Sequence, residues 1–178
     1  MPVKVGLLTG LLDTSAQLAR FAADHPQSGG IASFMGQVRA ESGDAGVLEL
    51  ELSHYPPLTL PGMEALADEA CKRWPLDGLL MLHRTGSLGP GDPIVLVAAA
   101  ARHRRDAFLA ADFAMDHLKS EAWFWKRERT AGGWRWVEPR GADLPTSSAG
   151  KIRNRFDGYQ GARLAWRAHR LRREGAGR

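Results

Sequence analysis

The sequence predicts an α+β fold: antiparallel and mixed sheets, three main helices, a β-hairpin and a basic C-terminal tail. Three observations carry this. Strand-like and helix-like segments follow one another in mixed order, not as a repeating βαβ unit. Leu48, Leu50 and Leu52 alternate with Glu49, Glu51 and Ser53, the period of a half-buried strand. Phe108, Ala111, Met115 and Leu118 recur at helical spacing in the longest candidate helix, His103 to Glu121.

In chain order, Val3 to Leu8 reads as a strand, and Asp13 or Thr14 can cap a helix with Leu18, Phe21 and Ala22 on one face. Gly29 and Gly30 open a β-rich run, Ile31 to Arg39, and a polar loop, Ala40 to Gly46, leads into the strand Val47 to His54. Pro56, Pro57 and Pro61 break that pattern, with Pro61 suited to the first turn of a helix reaching Trp74. Its stripe is Met63, Leu66, Ala67, Ala70 and Trp74. Gly78 to Thr85 and Pro93 to Ala101 are strands joined across the turn residues Gly89, Pro90, Gly91 and Asp92. After the long helix, Trp123 to Thr130 and Trp134 to Val137 form a hairpin across Ala131, Gly132 and Gly133. Two regions are expected: a folded domain over residues 1–140 and a flexible basic extension over 141–178, with a short helix near Leu164 to Arg173.

With 44% apolar and 25% charged residues over 178, the chain can bury one sizeable core. The longest apolar stretch, Ile94 to Ala101, is far short of the roughly 20 residues a membrane helix needs, and the N-terminus lacks a signal-peptide pattern, so a cytoplasmic protein is expected. Cys71 is the only cysteine, which excludes an internal disulfide, a cysteine metal cluster and a sulfur relay through a cysteine pair. The net charge of +4 is unevenly spread: residues 141–178 carry +6 and residues 1–140 carry −2. Within that mildly acidic body, Arg102, His103, Arg104 and Arg105 form one cationic run and Lys126, Arg127 and Arg129 another, a pattern suited to binding an anion.

The most specific text is His103-Arg104-Arg105, Met115-Asp116-His117-Leu118-Lys119 and Phe124-Trp125-Lys126-Arg127-Glu128. Together with Phe34-Met35-Gly36-Gln37-Val38-Arg39, Glu51-Leu52-Ser53-His54-Tyr55, Arg73-Trp74-Pro75-Leu76, His83-Arg84-Thr85-Gly86 and Gly89-Pro90-Gly91-Asp92, these blocks resemble the large subunit of molybdopterin synthase, in order and spacing, from about Gly29 to Arg140. The resemblance implies an α/β-hammerhead-like fold. It also implies a sulfurtransferase that installs two dithiolene sulfurs on cyclic pyranopterin monophosphate. The sulfur would come from a thiocarboxylate on the C-terminal Gly-Gly of a small ubiquitin-like subunit. A homodimer carrying two such subunits, a heterotetramer, is implied as well. The positions matching substrate binding are Gln37, Val38, Arg39, His103, Arg104, Lys119, Lys126, Arg127 and Glu128. Lys119 is the leading catalytic residue, with Lys126 beside it.

Residue chemistry agrees with those roles. Guanidinium forks suit phosphate, and lysines serve as compact charges or, with a lowered pKa, as nucleophiles. Arg39, His103, Arg104 and Arg127 are therefore assigned to phosphate and pterin, Lys119 and Lys126 to the reacting carbon and incoming tail. In a strand, Lys126 falls on the opposite face from Trp125 and Arg127. One continuous helix from His103 to Lys119 would hold its ends roughly 24 Å apart, too far for one pterin-sized ligand. Unless the helix breaks, the pocket is shared, with His103 and Arg104 from one protomer facing Lys119 and Lys126 of the other.

Simpler roles suit other residues. Phe34 and Met115 read as core or pocket walls. His54, His83 and His117 lack metal-ligand spacing and read as structural or surface residues, and Cys71 as a core thiol. No cofactor and no metal are expected. Two other functions compete with sulfur transfer. One is a nucleic-acid-binding module using the tail, against which the body's −2 charge and the lack of a recognised motif argue. The other is a non-catalytic adaptor for a ubiquitin-like protein.

Overall fold

The computed structural model describes residues 2–43, 45–120 and 124–137. Trp123 and the basic extension from 141 lie outside the described residues, as does the expected helix near Leu164.

The first sheet has four strands: β1 (Val3–Leu8), β6 (Leu76–Arg84), β8 (Pro93–Ala101) and β2 (Gly30–Gln37), in that spatial order. β1 runs parallel to β6, and the remaining pairs are antiparallel. The second sheet, order β10-β9-β5-β7, is antiparallel throughout and comprises β10 (Gly133–Val137), β9 (Phe124–Thr130), β5 (Glu49–His54) and β7 (Gly86–Leu88). A two-stranded hairpin, β3 (Glu41–Ser42) and β4 (Ala45–Gly46), occupies the region read as a plain loop. The mixed and antiparallel sheets, with α1 (Thr14–Ala23), α2 (Pro56–Arg73) and α3 (Arg104–Ser120), make the α+β fold that the order of segments predicts.

Helices cover both faces of the first sheet. α1 starts where the Asp13 carboxylate accepts the Ala16 N–H at 2.9 Å, a cap worth about 1 kcal/mol. Its Phe21 and Leu18 pack with Leu12 on Leu80, Leu82, Leu96, Ala98 and Ala100, while Ala22 turns to solvent. The alternate residues of the same strands, Leu79, Met81, Val97, Ala99 and Ala101, face α2 and α3. Here α3 meets the sheet alanine to alanine: Ala107, Ala110, Ala111 and Ala114 lie over Ala32, Ala99 and Ala101, all buried.

That interface explains one departure from the predicted stripe. Phe108 is 65% exposed, because the face that fits a methyl-paved sheet is the narrow alanine face, one residue away. A second departure is Leu48, 54% exposed: it precedes the strand, its N–H donates to Arg129 O, and only Leu50 and Leu52 of the alternating set reach the core. The third is α2, which begins at Pro56 and contains Pro61 in its interior. Pro56 and Pro57 sit in the first turn, where the missing N–H has no partner to lose. Pro61 leaves only the carbonyl one turn back without a donor, and Pro57 and Pro61 both lie on the exposed side, where water can serve it.

Candidate functional site

One end of the molecule gathers most of the residues singled out by sequence. β2 reaches it at Gln37, after a register irregularity at Gly36 and Gln37. Val38 then turns inward and is buried; its N–H donates to Asp92 O at 2.9 Å and its carbonyl accepts the Gly91 N–H at 2.8 Å. Gln37 and Arg39, either side of this anchored residue, are exposed. Phe34 lies on the α3 side of the same strand, partly open to solvent. α3 starts beside Gly30 and packs along β2 and β8, so its last turn arrives at the Gln37 end. Met115 is buried there, and Lys119, one turn later, is exposed.

The second sheet brings Lys126 from another direction. β5 and β9 pair with Leu52 opposite Lys126 and Glu51 opposite Arg127. Lys126 thus shares the face of Leu50 and Leu52, which pack on Val38, Val47 and Leu88, while Arg127 projects from the other side. The charge of Lys126 acts on His83, the buried histidine near the end of β6. Burial is the main cause of the depression of the His83 pKa to about 4, opposed by its hydrogen bond to Arg84 O and reinforced by Lys126 and then His54. His83 stacks on Phe124, two residues before Lys126.

Arg127 and Glu128 belong to a lattice of charge pairs. Arg127 donates to Glu51 and lies 4.4 Å from the centre of the Trp134 ring. Glu128 accepts from Arg135 at 3.1 Å, and Arg135 also donates to Ser42 O at 2.7 Å, tying the β3–β4 hairpin to β10. Arg129 pairs with Glu49 at 2.9 Å; the Ser87 hydroxyl, donating to Glu49, is the chief cause that holds that carboxyl below its usual range. The Arg127 guanidinium is therefore already engaged within the fold, while its buried Nε has no hydrogen-bond partner among the described residues.

His103 and Arg104 are not brought to this end. His103 O closes the first turn of α3 with the Asp106 N–H, and both side chains are exposed. α3 is continuous, so within one chain they stand roughly 24 Å from Lys119. A hollow of about 320 Å³ lined by Val3, Lys4, Val5, Glu64 and Asp68 lies beside β1, and its two carboxylates suit it poorly to a phosphate. Sequence reading gave no part in the site to Arg84, Asp92 or Glu51, which prove to hold Val38 and Arg127. Arg84 and Asp92 close an apolar strand and a Gly-Pro-Gly turn, and only the burial of Arg84 and its pairing with Asp92 mark them out.

Comparison with known proteins gives a consistent picture. The family model described as "MoaE protein" matches residues 10–121. The molybdopterin synthase catalytic subunit of Ralstonia nicotianae is 50% identical over 131 residues, covering 74% of this chain and 74% of that protein. A solved MoaE protein from Burkholderia ambifaria superposes with a TM-score of 0.64 at 42% identity, covering 78% of this chain and 90% of that one. A molybdopterin synthase structure from Staphylococcus aureus gives a TM-score of 0.69 at 27% identity over 75% of this chain and 96% of its own.

Proposed function

The chain belongs to the MoaE family, and on that premise we propose that it is the sulfur-transferring, catalytic subunit of a molybdopterin synthase in molybdenum-cofactor biosynthesis. Its substrate is the cyclic pyranopterin monophosphate. Its sulfur comes from the thiocarboxylate tail of a small ubiquitin-like subunit, and the reaction belongs in the cytoplasm. Among the described helices none is long and apolar enough to cross a membrane.

The observation that carries this reading is the convergence of Lys119, Lys126, Gln37 and Arg39 on one end of the fold, from α3, β9 and the end of β2. Both reactants are anionic, and charge develops as the thiocarboxylate adds to the pterin. Cations held in place on rigid elements stabilise such charge without the reorganisation that water must undergo. Lys119 lies next to the reacting carbon and the thiocarboxylate, and Lys126 neutralises the tail as it threads between the sheets. Arg39 and Gln37 take the phosphate and pterin. Val38 contributes by fixing its neighbours, Arg127 and Glu128 by holding β9 and β10 in register.

His103 and Arg104 complete the pocket from a second copy of the chain. The length and continuity of α3 support this, as does the cationic start of that helix, where an anionic ligand offsets the unfavourable meeting of positive side chains with the helix dipole. Reconstitution with the thiocarboxylated small subunit and the pyranopterin precursor is the test. Dithiolene product must form, and must be lost in Lys119→Ala. Binding of the small subunit without product would reduce the protein to an adaptor.

A further inference from the structure

Arg84 is the one Lys or Arg whose side chain is buried among the described residues, at 5% exposure. A guanidinium inside a protein is stable only if its neighbours replace the lost water, and a leucine or methionine would fill the same space without that cost. Arg84 Nη1 donates to Pro93 O at 3.2 Å and lies 3.4 Å from the Asp92 carboxylate. The same Asp92 oxygen accepts the Gly89 N–H at 3.1 Å, closing a turn in which Gly91 adopts a positive φ of 85°. Arg84 thus grips residues 92 and 93 together.

Those two residues carry the end of β2. Pro93 stands opposite Gln37 in the ladder and has no N–H to give it, and the register breaks at that step. Pairing resumes one residue on, where Asp92 O accepts from Val38 N–H and Gly91 N–H donates to Val38 O. Since the ladder is weakened at Pro93, the placement of Val38 depends on where the 91–92 turn sits. Arg84 holds that turn.

We propose that Arg84 is a positioning residue: through Asp92 and Pro93 it fixes Val38, and so aims Gln37 and Arg39 at the anionic end of the substrate. This rests on the assignment of Arg39 to substrate binding made above. A charged clamp suits the task because it is directional. It fixes the turn in angle as well as distance, whereas an apolar contact would let it slide.

Steady-state kinetics of the reconstituted two-subunit enzyme, with precursor concentration varied, distinguish aiming from mere stability. Arg84→Met and Asp92→Asn are expected to raise KM for the precursor about tenfold with kcat within about twofold of the parent, and Arg84→Lys, which keeps a charge and a donor, to recover part of the loss. Should Arg84→Met fail to fold, Asp92→Asn decides, because that side chain is 40% exposed and its amide keeps the volume. A lowered Tm with unchanged KM in Asp92→Asn overturns the proposal. Arg39→Ala separates the two levels. Unchanged KM in Arg39→Ala defeats the assignment of Arg39 to substrate and the clamp with it; raised KM in Arg39→Ala beside a normal Asp92→Asn defeats the clamp alone.

Discussion

The imidazole of His83 lies flat on the ring of Phe124, centroids 3.7 Å apart and planes 12° from parallel. One ring belongs to the first sheet and the other to the first residue of β9, so the stack is a joint between the two sheets, two residues from Lys126. Its energetics depend on His83 being neutral, and burial before all else pushes that pKa down to about 4.

A pH dependence follows. The unfolded chain binds a proton at His83 near the ordinary pH 6.5, the folded chain only near 4. The stability tied to the neutral ring is therefore complete above about 6.5 and is lost as pH falls toward 4, a difference on the order of 3 kcal/mol. Urea midpoints measured from pH 7.5 to 4.5 should fall more steeply for the parent than for His83→Phe, which keeps a stacked ring but cannot take a proton. Parallel slopes in the two proteins would show that His83 does not carry the effect.

Lys119→Ala is expected to cut product formation by about 10² to 10⁴, the range for loss of a group acting at the reacting atoms. Because Lys119 is exposed, its removal should change stability by less than about 0.5 kcal/mol. Single-turnover product formation and a thermal melt check both halves. A variant that turns over like the parent removes Lys119 from the chemistry.

Mixed dimers test the shared pocket. Lys119→Ala and Arg104→Ala should each be nearly inactive alone. Co-expressed, half the dimers are mixed, and each mixed dimer regains one pocket with both residues intact, giving about a quarter of the parent activity. If each pocket lies within one chain, no activity returns.

Gly29→Ala should disturb the start of α3. A Cβ at Gly29 would collide with the Arg102 carbonyl, a backbone atom that cannot swing aside as a side chain would. A loss of about 1 to 3 kcal/mol in urea unfolding is expected. Activity in the reconstituted enzyme should fall further than stability explains, since His103 and Arg104 move with that carbonyl.

Much of the fold is legible because burial in it follows period. Pro93 to Ala101 emerges with its predicted bounds, since an apolar run closed by a proline and a cationic cluster has one reading. Two of the misses share a cause: each turns on a partner distant in sequence. Phe108 looks like the core residue of its helix until the alanine-paved sheet beneath is known, and Leu48 looks like a strand residue until Arg129 is seen pairing with it. The site divides the same way. Lys119, Lys126 and Arg39 stand out by residue type and neighbours, and arithmetic on α3 separates them from His103. The engagement of Arg127 by Glu51 spans 76 positions, and the grip of Arg84 on Asp92 depends on burial; no local pattern encodes either.

The alanine-on-alanine contact between α3 and the first sheet also sets a height. Interaxial spacing follows the size of the side chains at a contact, and methyl groups let a helix settle closer than leucines would. Enlarging Ala99 or Ala101 would lift the whole helix, and Lys119 would rise with it, away from Gln37 and Arg39. Residues with no chemistry of their own would thereby set how far the proposed Lys119 site stands from the sheet.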